Sequence, residues 1–415
     1  MYKVVRLKPF SAPRDEGYYD RPITHDLITD IFLEFSNRTR EQESAEYSRS
    51  LTGNTWYLGV TRQHLQVWRK AVIVKKNKER AKPMRGGILS LVNEKNEILG
   101  WRLCQTNANA EIEEMLEGLK RRCSELTADL SEIIIADNYC YVRGAITKVF
   151  PDASVVLDVY HLLARYLAVI INGSKNPLRG AIAKDVVDAV LKTRASGGQC
   201  AEYWGKQEQE EQLQAMFEKW TGKGNVWTAA ALKLNHVKKG CLVRPRQDIA
   251  ADGNHIEGSH KGWNSIMRSF ASGLEVFTAL GHDFVLHRNV RVANSKPWSS
   301  GSFLASTHGS HHIRLSNHVN KLWNALVDQE KFPSGLQRRP LLNSASTSEA
   351  FGLVPSAFSV TFGGLLEIKS EAEDISDTEL LKMESVLDNE LEPETVLRHL
   401  DIDPLLLLQP LPPLL

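Results

Sequence analysis

Residues 133–161 read IIIADNYCYVRGAITKVFPDASVVLDVYH, and the fold turns on this stretch. A β-branched run delivers Asp137 to a strand end, a helical stretch follows over 141–150, and Pro151-Asp152 makes a turn. A second apolar run over 153–157 delivers Asp158, with His161 three residues further on. The pattern is strand–helix–strand with a carboxylate at each C-terminal strand end, where open α/β sheets place their sites. A distant Glu257 stands in NHIEGSHKGWNSIMRSF at 254–270, a polar segment that turns helical. Separated carboxylates gathered by a fold are what divalent-metal phosphoryl chemistry needs.

Working upstream, a helix is expected over 24–50, with Leu27, Ile28, Ile31, Phe32 and Phe35 on one face. A β-rich stretch covers 55–74, and a hairpin joins 88–92 to 98–104 around Asn93-Glu94-Lys95-Asn96. An amphipathic helix follows over 107–123, turning Ile112, Met115, Leu116 and Leu119 inward. Three antiparallel strands followed by two βα-type additions make an α/β, ribonuclease-H-like mixed sheet. From about 162 to 239 the chain is mostly helical and carries Trp204, Trp220 and Trp227. That is too long for one crossover and reads as a helical insertion before the late acidic helix.

Asp158-Val159-Tyr160-His161 matches the [C/D]xxH motif that follows the second Asp in DDE-type transposases of the Mutator-like and hAT-like kind. The phrase VFPDASVVLD resembles their run ahead of that motif, and IEGSHKGWNSIMR resembles the Glu-bearing segment of related transposases. The resemblance spans residues 86–291. It implies a ribonuclease-H-like fold, DNA as partner, and Mg²⁺ (or Mn²⁺) held by Asp137 and Glu257 as catalytic and metal-binding residues. Asp158 and His161 would support the site, and Lys261, Arg268, Arg288 and Arg291 would lie along DNA phosphates.

One member of the expected set is missing. The family's first carboxylate belongs on the first strand, yet residues 56–74 contain no Asp or Glu. Counting along that strand places Arg62 or Gln63 near the vacant acid position; an Arg there puts a cation in a cation site, and a Gln offers only a neutral oxygen. Two-metal chemistry needs a bridging carboxylate, so metal binding is expected to be crippled. In a different strand register, Asp20, Asp26 or Asp30 enters from upstream.

Each residue also has a purely structural role open to it. Asp137 reads as a helix cap, Asp158 and His161 as cap and packing for the helix that follows, and Glu257 as a first-turn acid. Trp263, Ile266, Met267 and Phe270 form a core stripe under either reading, which leaves only the neighbouring cations in question. His308, His311 and His312 lie in a Ser/Gly-rich segment without partner cysteines, so a surface loop is expected and no zinc site.

The overall balance, 51 Lys/Arg against 50 Asp/Glu, excludes a uniformly basic protein but hides an asymmetry. Residues 258–326 carry seven Lys/Arg against two acids, and residues 367–403 carry thirteen acids against three bases. The first stretch suits nucleic acid, and the second suits a solvated tail or a partner's surface. The five cysteines form no CxxC pair, so a reduced, intracellular compartment is expected, nuclear or cytoplasmic in a eukaryotic cell. No apolar run is long enough for a membrane span, and no secretory signal core opens the chain.

The expected organisation is an N-terminal helical segment (1–50), a first core part (51–165), the insertion (166–245) and the final core helices (246–300). A mobile connection with one helix (301–365) follows, then acidic helices and a Pro/Leu-rich tail (366–415). No DNA-reading module precedes the core, so the chain reads as N-terminally shortened. Two function classes follow. One is a transposase-derived domain, impaired in catalysis and retaining DNA binding, or else an active Mg²⁺-dependent nuclease. The other is a non-catalytic scaffolding protein, as a homo-oligomer or through its acidic tail.

Overall fold

A computed structural model describes residues 25–61, 73–74, 80–81, 87–104, 109–137, 139–194, 201–224, 226–227, 240–245, 262–263, 266, 274–295, 303, 312–329 and 336–354. Its centre is a mixed five-stranded sheet: β1 (Thr55–Thr61), β2 (Gly87–Asn93), β3 (Ile98–Cys104), β4 (Ile133–Ala136) and β5 (Ser154–Leu157). The spatial order is β3-β2-β1-β4-β5. β1, β2 and β3 pair antiparallel, while β4 runs parallel to β1 and β5 parallel to β4. Antiparallel neighbours need only a turn, whereas parallel ones need a crossover of helix length. Helix α3 (Asn109–Glu125) supplies the crossover from β3 to β4, and α4 (Tyr139–Val149) the one from β4 to β5.

The expected strand over 55–74 is described in two pieces. Among its described residues, Thr55–Thr61 joins the sheet, and Ile73–Val74 pairs with Arg80–Ala81 in a separate ribbon. In the β2–β3 turn, Asn96 takes a left-handed φ of 70°, and Asn93 Oδ1 accepts the amides of Lys95 and Glu97 at 3.0 and 2.9 Å. A short amide side chain that replaces backbone partners in this way stabilises a tight turn.

β2 and β3 are buried at every position, which explains their near-continuous apolar sequence. On one face, Trp56, Leu58, Leu91, Ile134 and Leu157 meet α3, α4 and α5 (Val159–Ala168). The four residues of α3 expected to face inward, Ile112, Met115, Leu116 and Leu119, are all buried there. Ile182 and Val186 of α6 (Arg179–Val190) and Leu213 and Trp220 of α7 (Lys206–Thr221) belong to the same cluster, so these helices extend the sheet's core.

On the other face, Tyr57, Ile88, Trp101, Ile135 and Val156 pack with Trp263 and with Phe277 and Val285 of α8 (Leu274–Asn294). Asn289 clamps the start of β3, accepting the Ile98 amide at 2.7 Å and donating to the Ile98 carbonyl at 2.9 Å. Helix α1 (His25–Phe35) continues through a wider π turn, Ser36–Arg40, into α2 (Glu41–Ser48), and the α1–α2 segment packs on α8. Of the residues expected on one apolar face, Leu27, Ile28, Ile31 and Phe35 are exposed and Phe32 is half-buried.

The connection expected to be mobile is tied down over 336–354. From α9 (Ile313–Asp328), Asn320 and Asn324 donate to the carbonyls of Pro340 and Arg339, and Asn317 accepts the Leu342 amide. Ala345 then donates to the Arg49 carbonyl at 3.1 Å, and Gly352 exchanges bonds with Trp101 and Leu103 on the edge strand β3 at 3.0 and 2.9 Å. The middle of this strap is latched by Glu349, whose carboxylate accepts Arg122 Nε at 2.9 Å, Arg122 Nη2 at 2.7 Å and Thr347 Oγ1 at 2.8 Å. Covering an edge strand in this way removes a template for aggregation. Residues 355–415, with the predicted acidic helices and Pro/Leu tail, lie outside the described residues.

Candidate functional site

The parallel half of the sheet sets Asp137 and Asp158 side by side. Ala136 pairs with Leu157 at the ends of β4 and β5, and each carboxylate follows directly. The Asp137 amide donates to the Leu58 carbonyl at 3.3 Å and the Asp158 amide to the Ala136 carbonyl at 3.2 Å, so both residues continue the ladder. Both are buried.

Asp158 caps α5: Oδ1 accepts the Tyr160 amide at 3.1 Å and Oδ2 holds His161 Nδ1 at 2.6 Å. That second bond selects the tautomer with its proton on Nδ1 and leaves Nε2 with the lone pair when the ring is neutral. The ring is 21% exposed, against 0% for the aspartate, so the dyad is buried at its base and open at its tip. The capping role expected from the DxxH spacing is present, and the same carboxylate orients the imidazole.

Two guanidinium groups at this end of the sheet were not apparent in sequence. Arg165 lies one turn beyond His161 on α5, is 1% exposed, and donates from Nη2 to the Asp137 carbonyl at 3.2 Å. Arg244 is also buried; it donates to the Leu157 carbonyl at 3.4 Å and the Tyr203 hydroxyl at 3.3 Å, and covers the Tyr203 ring at 4.6 Å. The signal available in sequence for Arg165 was a lone cation at i+7 from Asp158 within an otherwise apolar helix. Nothing in the polar run around Arg244 marked it.

On β1 the register pairs Leu58 with Ala136, and one further step sets Gly59 level with Asp137. The counted position was three to four residues later, at Arg62 or Gln63, and both lie outside the described residues. No acid occurs in Thr55–Thr61. Of the upstream alternatives, Asp26 and Asp30 are exposed on α1, and Asp20 lies outside the described residues.

Glu257, Lys261, Arg268, His308 and His311 lie outside the described residues, and His312 is exposed immediately before α9. Arg288 is committed inward: Nε bonds the Asn96 carbonyl at 3.4 Å and Nη2 bonds Asn96 Oδ1, which ties α8 to the β2–β3 turn. Burial, with Arg291 nearby, brings its pKa down to about 10. Arg291 itself is exposed. Among the described residues, no group of three or more His, Cys, Asp or Glu side chains is placed to hold a metal ion, and no helix is long and apolar enough to cross a membrane.

No family model matches this chain, and no curated protein matches it in sequence.

Proposed function

We propose that this chain is a transposase-derived, ribonuclease-H-like domain that binds DNA and is impaired in metal-dependent phosphoryl transfer. The strand order β3-β2-β1-β4-β5, with its antiparallel meander and two parallel additions, agrees with the arrangement implied by the DxxH resemblance. One observation carries the catalytic part: the position on β1 level with Asp137 is Gly59, which has no side chain to bridge a metal. The charges described around it do not fit a divalent cation either. Arg165 and Arg244 reach the backbone carbonyls of Asp137 and Leu157 at the same strand ends, so among the described residues two buried cations stand with two carboxylates, whereas a hard cation is held by an excess of carboxylate oxygen. No reaction step is therefore assigned to Mg²⁺ or Mn²⁺ here. In this reading the His161–Asp158 dyad and Arg165 hold the strand ends in place.

The test is nicking of supercoiled DNA with Mg²⁺ or Mn²⁺, alongside calorimetric titration with Mn²⁺. Wild-type protein is expected to leave the plasmid intact and to bind Mn²⁺ weakly, and Gly59→Asp to bind it more tightly. Metal-dependent cleavage that disappears in Asp137→Ala would refute the impairment. Failure to bind duplex DNA at low salt would refute the DNA-binding part and return the chain to a scaffolding role.

A further inference from the structure

Two helices on the α2–α8 side of the molecule present apolar rows to solvent. On α1 the row is Leu27, Ile31 and Phe35, flanked by Ile28, and on α9 it is Leu315, Val319, Leu322 and Leu326. Ile31 is 58% exposed and Leu322 53%. The 4-3-4 spacing on α9 is that of a coiled-coil seam, which gains its stability only when a second helix covers it. The inner side of α9 is occupied already, by Ile313 in the core and by the three asparagines that hold the strap.

The charges beside these rows are opposite. Each residue of the α1 row is preceded by an exposed acid, Asp26, Asp30 or Glu34, of which Glu34 pairs with Arg38 in the π turn, and α1 itself carries no Lys or Arg. On α9 the corresponding edge carries Arg314, which already pairs with Glu46 of α2, together with exposed His318 and Lys321, so Lys321 is the cation set to meet Asp30. When two helices cross antiparallel, like edges face one another, as g positions meet g′ in antiparallel coiled coils. An antiparallel α1–α9 crossing therefore covers both apolar rows and sets the acidic edge against the basic one.

We infer that this surface is a self-association interface, in which α1 of one copy packs antiparallel on α9 of a second copy. A two-fold arrangement uses the pair twice, because α9 of the first copy receives α1 of the second, and so it leaves no apolar row uncovered. The chain's own acidic stretch at 367–403 would complement α9 but not α1, whose edge is itself acidic. A second copy satisfies both helices.

Sedimentation equilibrium of the full chain across micromolar concentrations tests this. The expected mass is twice the 46.6 kDa of one chain. Leu322→Glu and Ile31→Lys should each give the monomer with an unchanged circular dichroism spectrum, since both positions face solvent. Asp30→Lys and Lys321→Glu should each weaken the dimer, and the double variant should restore it. A wild-type chain that stays monomeric throughout would overturn the inference. So would a dimer that survives Ile31→Lys, because α9 would then be pairing with something other than α1.

Discussion

Removing the latch on the strap by Glu349→Ala gives the most direct test of how this molecule is held together. Arg122 is 1% exposed and its carboxylate partner 6%, so the pair has little solvent to screen it. The substitution deletes both charge-assisted bonds to Arg122 and the Thr347 contact, and leaves the guanidinium with one bond, to the Leu51 carbonyl at 3.2 Å. Stranding one member of a buried pair costs about 3–5 kcal/mol. At about 2–4 °C per kcal/mol for a domain of this size, the midpoint should fall by about 6–20 °C. Urea titration gives the global loss. Hydrogen exchange at the amides of Ala345, Gly352 and Leu103 shows whether the strap opens first, since these amides bond across its contacts. Replacing both partners, as Arg122→Met with Glu349→Leu, should recover much of the loss because no charge is left buried; the bare helix at Gly118, packed under Glu349 Cγ, gives the leucine a surface to cover. A loss below about 1 kcal/mol for Glu349→Ala, the range of solvent-screened pairs, would refute the reasoning.

Three further outcomes follow from particular side chains. Burial lowers the pKa of His282 from the ordinary 6.5 to about 4, so the unfolded chain binds the extra proton first. Stability from this group should be complete above pH 6.5 and fall by about 3 kcal/mol as the pH drops towards 4; His282→Gln should flatten that part of the profile, and an unchanged profile would mean another group sets it. A Cβ on Gly281 would stand 2.4 Å from the Trp101 ring, which is wedged against Trp263 and His282, whereas a Cβ on Gly144 meets nothing within 4 Å. Gly281→Ala should therefore destabilise by about 1–2 kcal/mol once helix propensity is counted, and Gly144→Ala should stabilise by about 0.5–1 kcal/mol. Thermal melts that rank the two the other way would contradict the packing described. If α8 lies along DNA, Arg291→Gln should lower the slope of log affinity against log salt by about one unit. Arg288→Gln should leave that slope unchanged and reduce stability, because its guanidinium holds the Asn96 turn.

Local patterns were readable from the chain alone. β-branched runs ending in Asp137 and Asp158, the Asn-rich hairpin turn and the amphipathic stripe of α3 each express a periodicity or a cap satisfied within a few residues, and the structure shows them where expected. The mixed sheet followed from their order. The same reasoning failed wherever a partner lay far away in sequence. The strand expected over 55–74 is described at Thr55–Thr61 and at Ile73–Val74, the latter in a separate ribbon; period-2 patterning does not show which residues find a neighbour, and the residue level with Asp137 is Gly59, while Arg62 and Gln63 lie outside the described residues. Arg288 looked like one more solvent-facing cation because its partner, Asn96, is 192 residues away.

By itself, then, the sequence determined the secondary-structure units, the two carboxylates at parallel strand ends and the capping dyad, because each depends on contacts between near neighbours. Only the tertiary structure decided what surrounds them: the glycine beside Asp137, the buried guanidinium groups of Arg165 and Arg244, the strap latched by Arg122 and Glu349, and the outward faces of α1 and α9. Those outcomes depend on which distant surfaces meet. A Ser-rich stretch such as 336–354 shows no periodicity, so its order comes from hydrogen bonds, one buried ion pair and the burial of Ala345 and Phe351 against the rest of the fold.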